Sequence, residues 1–303
     1  MIRELAAAAA LSGLLSGLAA HAQPAKVEPA PAAAADQPQD ATVAVEAGGD
    51  SDALLYGSYL RPAGGGSYPA VLILPAQGSD RNGNSSTADG PKPDTYRLLA
   101  RDLAAKGVAS LRIDKRGVGA SAKAILREED LRFDTYVDDA VTWTKFLKAQ
   151  PKVNCMAILG HAESALAAAL AAKKIKVCAL IEVAGAGKPA AAMLAAQLKT
   201  AVDTKGMDQP LYDQATKILN TLANGKTVAD PPEKLKALFR PSVQPYLISW
   251  LDLNPVEALK TAPPTLVLQG ASDLQSSPED AQRLAAAPKF AKLVMVAGAD
   301  HDL

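Results

Sequence analysis

The sequence has few of the residues that carry metal, redox and nucleic-acid chemistry. It contains two cysteines and three histidines, and its 32 acidic residues balance 32 basic ones. Without net charge, the chain has no overall field that would attract nucleic acid or an anionic membrane. Its few cysteines and histidines, with no H-E-x-x-H pattern, provide no ligand set for a metal. We therefore expect no cofactor, no metal and no nucleic-acid partner.

Long apolar runs are missing after the first 20 residues of the chain. Residues 5–20 form one alanine-rich apolar run, which is short for a membrane span. The A-x-A cleavage pattern Ala20-His21-Ala22 follows it. We expect residues 1–22 to be a signal peptide cleaved after Ala22, rather than a membrane anchor. The mature protein is then periplasmic or secreted and has no membrane partner.

Periodicity is also missing from residues 23–40, which are rich in proline and alanine and predict a disordered leader. From residue 42 onward, short apolar runs alternate with segments of helical spacing. The expected strands are 42–46, 53–60, 70–74, 108–113, 154–159, 177–183, 265–268 and 293–296. Scarce aromatics, abundant alanine and this alternation predict a doubly wound α/β sheet, with the first two strands paired at its edge.

Residues 188–253 contain several helical segments separated by prolines and no strand-like run. We interpret this segment as a helical cap inserted into a single domain that covers residues 41–303.

The two cysteines, Cys155 and Cys178, lie near the starts of two expected strands. If these strands are neighbours, the cysteine Cα atoms lie within about 6 Å, which suits a disulfide in an oxidising compartment. Alternatively, both side chains stay reduced and pack as small hydrophobes. A disulfide also requires both side chains to face the same way, so we expect two buried thiols.

A strand, a sharp turn and a helix are predicted around residue 162. The apolar run of residues 156–159 ends at Gly160, and a helix-forming run starts at Glu163. This is the setting of a G-x-S-x-G turn, which raises a serine nucleophile above the sheet. Here Ala162 stands at the nucleophile position and Ser164 at the second glycine position. Because a methyl group cannot attack a carbonyl carbon, we expect covalent acyl transfer to be absent.

Five motifs follow the expected strands in order, namely residues 78–84, 114–121, the turn at 160–164, 269–273 and 298–301. In this order they resemble the α/β-hydrolase superfamily, in its bacterial esterase or dienelactone-hydrolase-like branch, over residues 42–303. The resemblance implies a mostly parallel, eight-stranded sheet. It also implies a final helix after His301, which is missing from a sequence that stops at Leu303.

The resemblance assigns the roles of a degenerate Ser-His-Asp triad. His301 matches the base, Asp273 matches the acid that orients it, and Ala162 occupies the place of the nucleophile. His161, inside the turn, matches a positioning residue at the substrate site.

An oxyanion hole is implied by the same resemblance. Its donors would be the backbone N–H of Glu163 and a second N–H from the loop at Ala76 and Gln77.

These assignments imply an exported, carboxylic-ester-hydrolase-type protein that acts on a small ester-like molecule. Whether it is an enzyme stays open, and any residual activity would use water activated by His301 and Asp273. The alternative is a non-catalytic pseudo-hydrolase that binds a small ligand or a protein partner. That alternative is motivated by the joint departure of Ala162, Ser164 and residues 75–77 from the family pattern.

Overall fold

A computed structural model describes residues 39–48, 53–87, 89–125 and 127–302. The expected signal peptide, the leader up to residue 38 and the position of any helix after residue 302 lie outside these residues. Within the described ranges, no helix is both long and apolar enough to cross a membrane.

Eight strands form one sheet at the centre of the molecule. They are β1 (Gln39–Glu46), β2 (Leu54–Arg61), β3 (Tyr68–Leu74), β4 (Ala109–Ile113), β5 (Val153–His161), β6 (Ala179–Val183), β7 (Thr265–Gly270) and β8 (Ala291–Val296). Their order is β1-β2-β4-β3-β5-β6-β7-β8. β2 runs antiparallel to β1 and β4, and all other neighbours are parallel. The predicted doubly wound α/β sheet with its paired edge strands is confirmed.

Nine α-helices lie in the described part of the chain. They are α1 (Thr95–Ala105), α2 (Phe133–Lys148), α3 (Glu163–Lys174), α4 (Ala190–Asp203), α5 (Gln209–Ala223), α6 (Lys236–Phe239), α7 (Gln244–Leu251), α8 (Pro255–Leu259) and α9 (Pro278–Ala286). Short 3₁₀ turns cover Gly119–Ala124, Glu128–Asp130, Glu233–Leu235 and Pro241–Val243.

The central strands are apolar on both faces because helices cover both sides of the sheet. On one face, Leu72 of β3 and Ile158 of β5 belong to the same core as Trp143 of α2. On the other face, Ile73 of β3 packs in a cluster with Tyr96 of α1. This two-sided burial fixes the sheet register and therefore the height at which each strand ends.

Residues 188–253 contain helices and turns only, as the sequence predicts. The segment leaves the sheet after β6 and returns at β7. Its core is continuous with that of α2, because the ring of Trp250 stacks against Phe133 at 6.3 Å between centroids. The helical insertion therefore rests on the same scaffold as the strands.

The start of β1 differs from the prediction. The leader was expected to extend through residue 40, but Gln39 pairs with Arg61 of β2. Asp40 also accepts a hydrogen bond of 2.6 Å from the Arg112 guanidinium. Backbone pairing with β2 places these two residues in the strand. The sequence did not predict this pairing, because both residues are polar.

The expectation of two buried thiols is wrong. Cys155 and Cys178 form a disulfide, with Cα atoms 5.9 Å apart, and Cys178 is exposed. β6 begins at Ala179, two residues later than the apolar run suggested. Cys178 therefore precedes the strand, and its side chain does not follow the alternation of side chains between the two faces of a sheet. Its N–H donates to the Met156 carbonyl at 2.8 Å, which brings it beside the β5 cysteine.

Candidate functional site

The loops that follow the parallel strands enclose a cavity of about 530 Å³. Its wall combines the loop after β3, the first turn of α3, the loop after β6, helix α4 and the loop after β8. The carboxyl ends of parallel strands are the usual position of ligand sites in such sheets. This cavity is therefore the candidate site.

The turn between β5 and α3 has the sharp geometry predicted for it. Ala162 has φ 55° and ψ −120°, a conformation that costs a non-glycine residue about 1–3 kcal/mol. Its N–H donates to the Val183 carbonyl at 2.8 Å, and its carbonyl accepts from Ala165 N–H at 3.1 Å. These bonds hold the strained residue in place, so the apex keeps the shape of a nucleophile turn around a methyl group.

Ser164 is buried in the first turn of α3, two residues after this apex. Its hydroxyl donates to the Pro75 carbonyl at 2.6 Å, which ties α3 to the loop after β3. The side chain is only 3% exposed, and it does not line the cavity as the structure describes it. Ser164 is therefore a structural link and not a displaced nucleophile.

The structure brings His301 and Asp273 together. The Nδ1 of His301 lies 2.9 Å from Asp273 Oδ2. Asp273 also accepts from the N–H groups of Gln275 and Ser276, at 2.7 and 3.0 Å. Burial raises the pKa of Asp273, but the hydrogen bonds from His301 and these N–H groups outweigh burial and lower it. The Asp273 carboxylate accepts a hydrogen bond from Nδ1–H of His301, so Nε2 is the ring nitrogen that stays outside this pair.

His161 was expected at the substrate site, and the structure corrects this. Its ring is 3% exposed and uses both nitrogens within the protein. Nε2 donates to the backbone carbonyl of His301, and Nδ1 accepts from the Tyr96 hydroxyl, each at 2.7 Å. Burial lowers the pKa of His161 to about 4, so the ring is neutral at pH 7. His161 therefore positions the His301 loop and has no free group for a ligand.

The expected oxyanion donors are also partly corrected. The Ala76 N–H donates to the Tyr96 hydroxyl at 2.8 Å and is already used. The backbone N–H groups of Gln77 and Glu163 donate to nothing in the described part of the chain, and both residues line the cavity. The Glu163 carboxylate instead pairs with Lys115 Nζ at 3.1 Å. Gln77 and Glu163 thus remain as donors.

The sequence analysis did not identify two residues of this region. Tyr96 bridges Ala76 and His161, and nothing in the pattern of its helix distinguishes it from an ordinary core aromatic. Glu182 also lines the cavity, although it lies within a buried strand. A lone charged residue inside the apolar run 177–183 was a signal that could have identified it.

Within the ranges that the structure describes, no group of three or more His, Cys, Asp or Glu side chains is placed to hold a metal ion.

Comparison with known proteins gives a consistent result. A family model described as "Alpha/beta hydrolase family" matches residues 71–303. Esterase EstD of Thermotoga maritima is 26% identical over 231 residues, covering 75% of this chain and 52% of that protein. The chain thus spans about half the length of this curated relative.

Solved structures share the fold at low sequence identity. Est1E from Butyrivibrio proteoclasticus has a TM-score of 0.55 at 17% identity, covering 86% of this chain and 90% of that one. The dienelactone hydrolase of Anabaena variabilis has a TM-score of 0.52 at 19% identity, covering 88% and 89%. A thermophilic esterase from Thermogutta terrifontis has a TM-score of 0.55 at 15% identity, covering 86% and 92%.

Proposed function

Because the chain belongs to the α/β hydrolase family, we propose that its cavity binds a small carboxylic ester and hydrolyses it slowly by activating water. The observation that carries this proposal is the His301–Asp273 pair, which is assembled beside a turn that has lost its nucleophile. The site keeps a base and the free N–H groups of Gln77 and Glu163, and it lacks the serine oxygen that would form an acyl-enzyme.

The reaction needs no covalent intermediate. A water oxygen bonds to the ester carbonyl carbon while its proton passes to Nε2 of His301, and Asp273 stabilises the resulting imidazolium. The N–H groups of Gln77 and Glu163 donate to the oxyanion that develops. The bond from carbon to the alcohol oxygen then breaks, and His301 returns the proton to that oxygen. The products are a carboxylic acid and an alcohol.

The expected rate is low. Removing the nucleophile of a serine hydrolase costs about 10⁶ in kcat and leaves roughly 10³ to 10⁴ over water. A bound ester would therefore stay in the cavity much longer than in an active esterase.

We expect His301→Gln to lower the hydrolysis of p-nitrophenyl butyrate, measured above the buffer rate, by about 10²-fold, because general-base catalysis typically contributes this much or more. Asp302→Asn is the matched control, since Asp302 is exposed on the same loop and lies outside the pair. Equal rates for His301→Gln and the parent protein would contradict water activation.

The second candidate is a pseudo-hydrolase that binds without turnover. It is favoured by the Ala76 N–H, which is bonded to Tyr96, and by Ser164, which fixes the neighbouring loop. Both contacts restrict the segment that would have to adjust around an oxyanion. A parent protein that hydrolyses p-nitrophenyl butyrate no faster than buffer would select this candidate.

Export is part of the proposal. The disulfide supports it, because such bonds persist in oxidising compartments, and so does the expected signal peptide. N-terminal sequencing of protein recovered from the periplasm or medium should begin at Gln23. A protein that retains Met1 in the cytoplasm would contradict export.

A further inference from the structure

Glu182 is a buried acid without a partner. It lies on β6, and its side chain is 1% exposed. Its Oε1 is buried and accepts no hydrogen bond. Across the described ranges, no ion pair to Glu182 is found either. Buried carboxyl groups are normally paired or hydrogen-bonded, so this residue calls for a physical explanation.

The carboxyl group belongs to the wall of the candidate site. Glu182 lines the cavity together with Ala165 and Leu166 of α3. Beyond it, a Cβ added at Gly185 would stand 3.4 Å from Glu182 Oε2 and 3.1 Å from the Ala165 Cβ. Gly185 therefore packs closely beside the carboxyl group without placing a side chain against it.

Other charged groups of the cavity have a charged partner or lie in solvent, although Glu163 Oε2 also lacks a hydrogen bond within the described part of the chain. Glu163 pairs with Lys115, and Lys188 lies 3.6 Å from the carboxylate of Asp280. Asp302 is exposed to solvent. Glu182 thus differs from these groups because neither a charged partner nor a hydrogen-bond donor of the described residues contacts it.

A neutral carboxyl group can act as a hydrogen-bond donor. Burial raises the pKa of Glu182 well above its usual value, which favours the protonated form of the group. A protonated carboxyl donates one hydrogen bond, as apolar enzyme sites exploit. Leaving that donor unpaired is unfavourable, and an acceptor on a bound molecule would remove this cost.

We propose that Glu182 is a specificity-determining residue whose carboxyl O–H binds a second, uncharged oxygen on the chain of the ester ligand. The preferred ligand is then an ester that carries a keto, hydroxyl or further ester oxygen, and not a plain alkyl ester. This inference rests on the proposed function, because it places the same ligand in the same cavity.

The test is an NMR titration of the parent protein, in which slow turnover leaves the esters intact. Methyl levulinate is compared with methyl valerate, which has the same chain without the keto oxygen. We expect methyl levulinate to bind about tenfold more tightly, the gain of one hydrogen bond to a buried donor. Glu182→Met should remove this preference and leave methyl valerate binding unchanged. Glu182→Gln should keep part of it, because the amide still donates.

The outcomes of the titration distinguish failure of the Glu182 role from failure of the ester site. Equal binding of the two esters by the parent protein overturns the role of Glu182 while the ester site stands, whereas binding of neither ester overturns both proposals. Tightest binding of methyl γ-aminobutyrate would show that Glu182 pairs with a cation, and would also overturn the inference.

A spectroscopic measurement covers the case in which Glu182→Met does not fold. The infrared spectrum of the parent protein should contain a protonated carboxyl band that shifts with methyl levulinate and not with methyl valerate. The near-isosteric Glu182→Gln should lack this band. A band that is absent from the parent protein, or unmoved by methyl levulinate, contradicts the proposal.

Discussion

Ala162→Ser is expected to raise the hydrolysis of p-nitrophenyl butyrate by at least about 10³-fold, since loss of the nucleophile costs an intact triad about 10⁶. The residue already has the strained φ of 55° and ψ of −120°, so a hydroxyl would be added to a backbone that needs no rearrangement. The His301–Asp273 pair is assembled at 2.9 Å. The expected gain stays below the full factor because Ala76 N–H is bonded to Tyr96 and leaves fewer oxyanion donors.

The measurement is kcat/KM for the parent and the variant, together with labelling by a fluorophosphonate, which reacts only with an activated serine. Ala186→Ser is the matched control, because Ala186 also lines the cavity but lies outside the turn. We expect labelling of the Ala162→Ser protein alone. A folded Ala162→Ser variant that is neither labelled nor faster would show that the oxyanion side of the site no longer supports acyl transfer.

Gly160→Ala is expected to destabilise the protein by more than about 4 kcal/mol, the range that marks severe steric defects. An added Cβ would lie 2.2 Å from the Ser164 carbonyl oxygen and 2.6 Å from Ala165 Cα. Both are backbone atoms of α3, so no side-chain rotation relieves the clash. The helix must shift away from β5, which breaks the hydrogen bonds that hold Ala162.

Urea unfolding followed by circular dichroism measures this loss of stability. Gly66→Ala serves as the control, because Gly66 is exposed, has no positive φ and has no heavy atom within 4 Å of an added Cβ. Its unfolding midpoint should match that of the parent protein. An unchanged midpoint for Gly160→Ala would mean that α3 does not pass over the glycine as described.

The fold was predictable because a sheet buried on both faces gives continuous apolar strands, and the helices that cover it give apolar residues at helical spacing. The meeting of His301 with Asp273 was also predictable, since both follow strands whose carboxyl ends share one edge. The hydrogen bond from Ala76 N–H to Tyr96 was not predictable, because nothing in the pattern of helix α1 distinguishes Tyr96 from an ordinary core residue.

The disulfide and His161 show a second limit. The sequence analysis treated neighbouring strands as a condition for the disulfide, and it could not give the direction of the Cys178 side chain, because β6 begins only at Ala179. The family resemblance placed His161 at the substrate site as a positioning residue inside the turn. Its actual direction is set by Tyr96 and by the carbonyl of His301, which are far from it along the chain.

The hydrogen bonds that run from Ala76 through Tyr96 and His161 to the His301 carbonyl also bear on the order of folding. His161 and His301 are 140 residues apart, so this contact closes only once most of the chain has been made. Contacts of such long sequence separation carry a large loop-closure entropy and form after local ones. The position of His301 therefore depends on residues in the first half of the protein, and the pocket is completed late in folding.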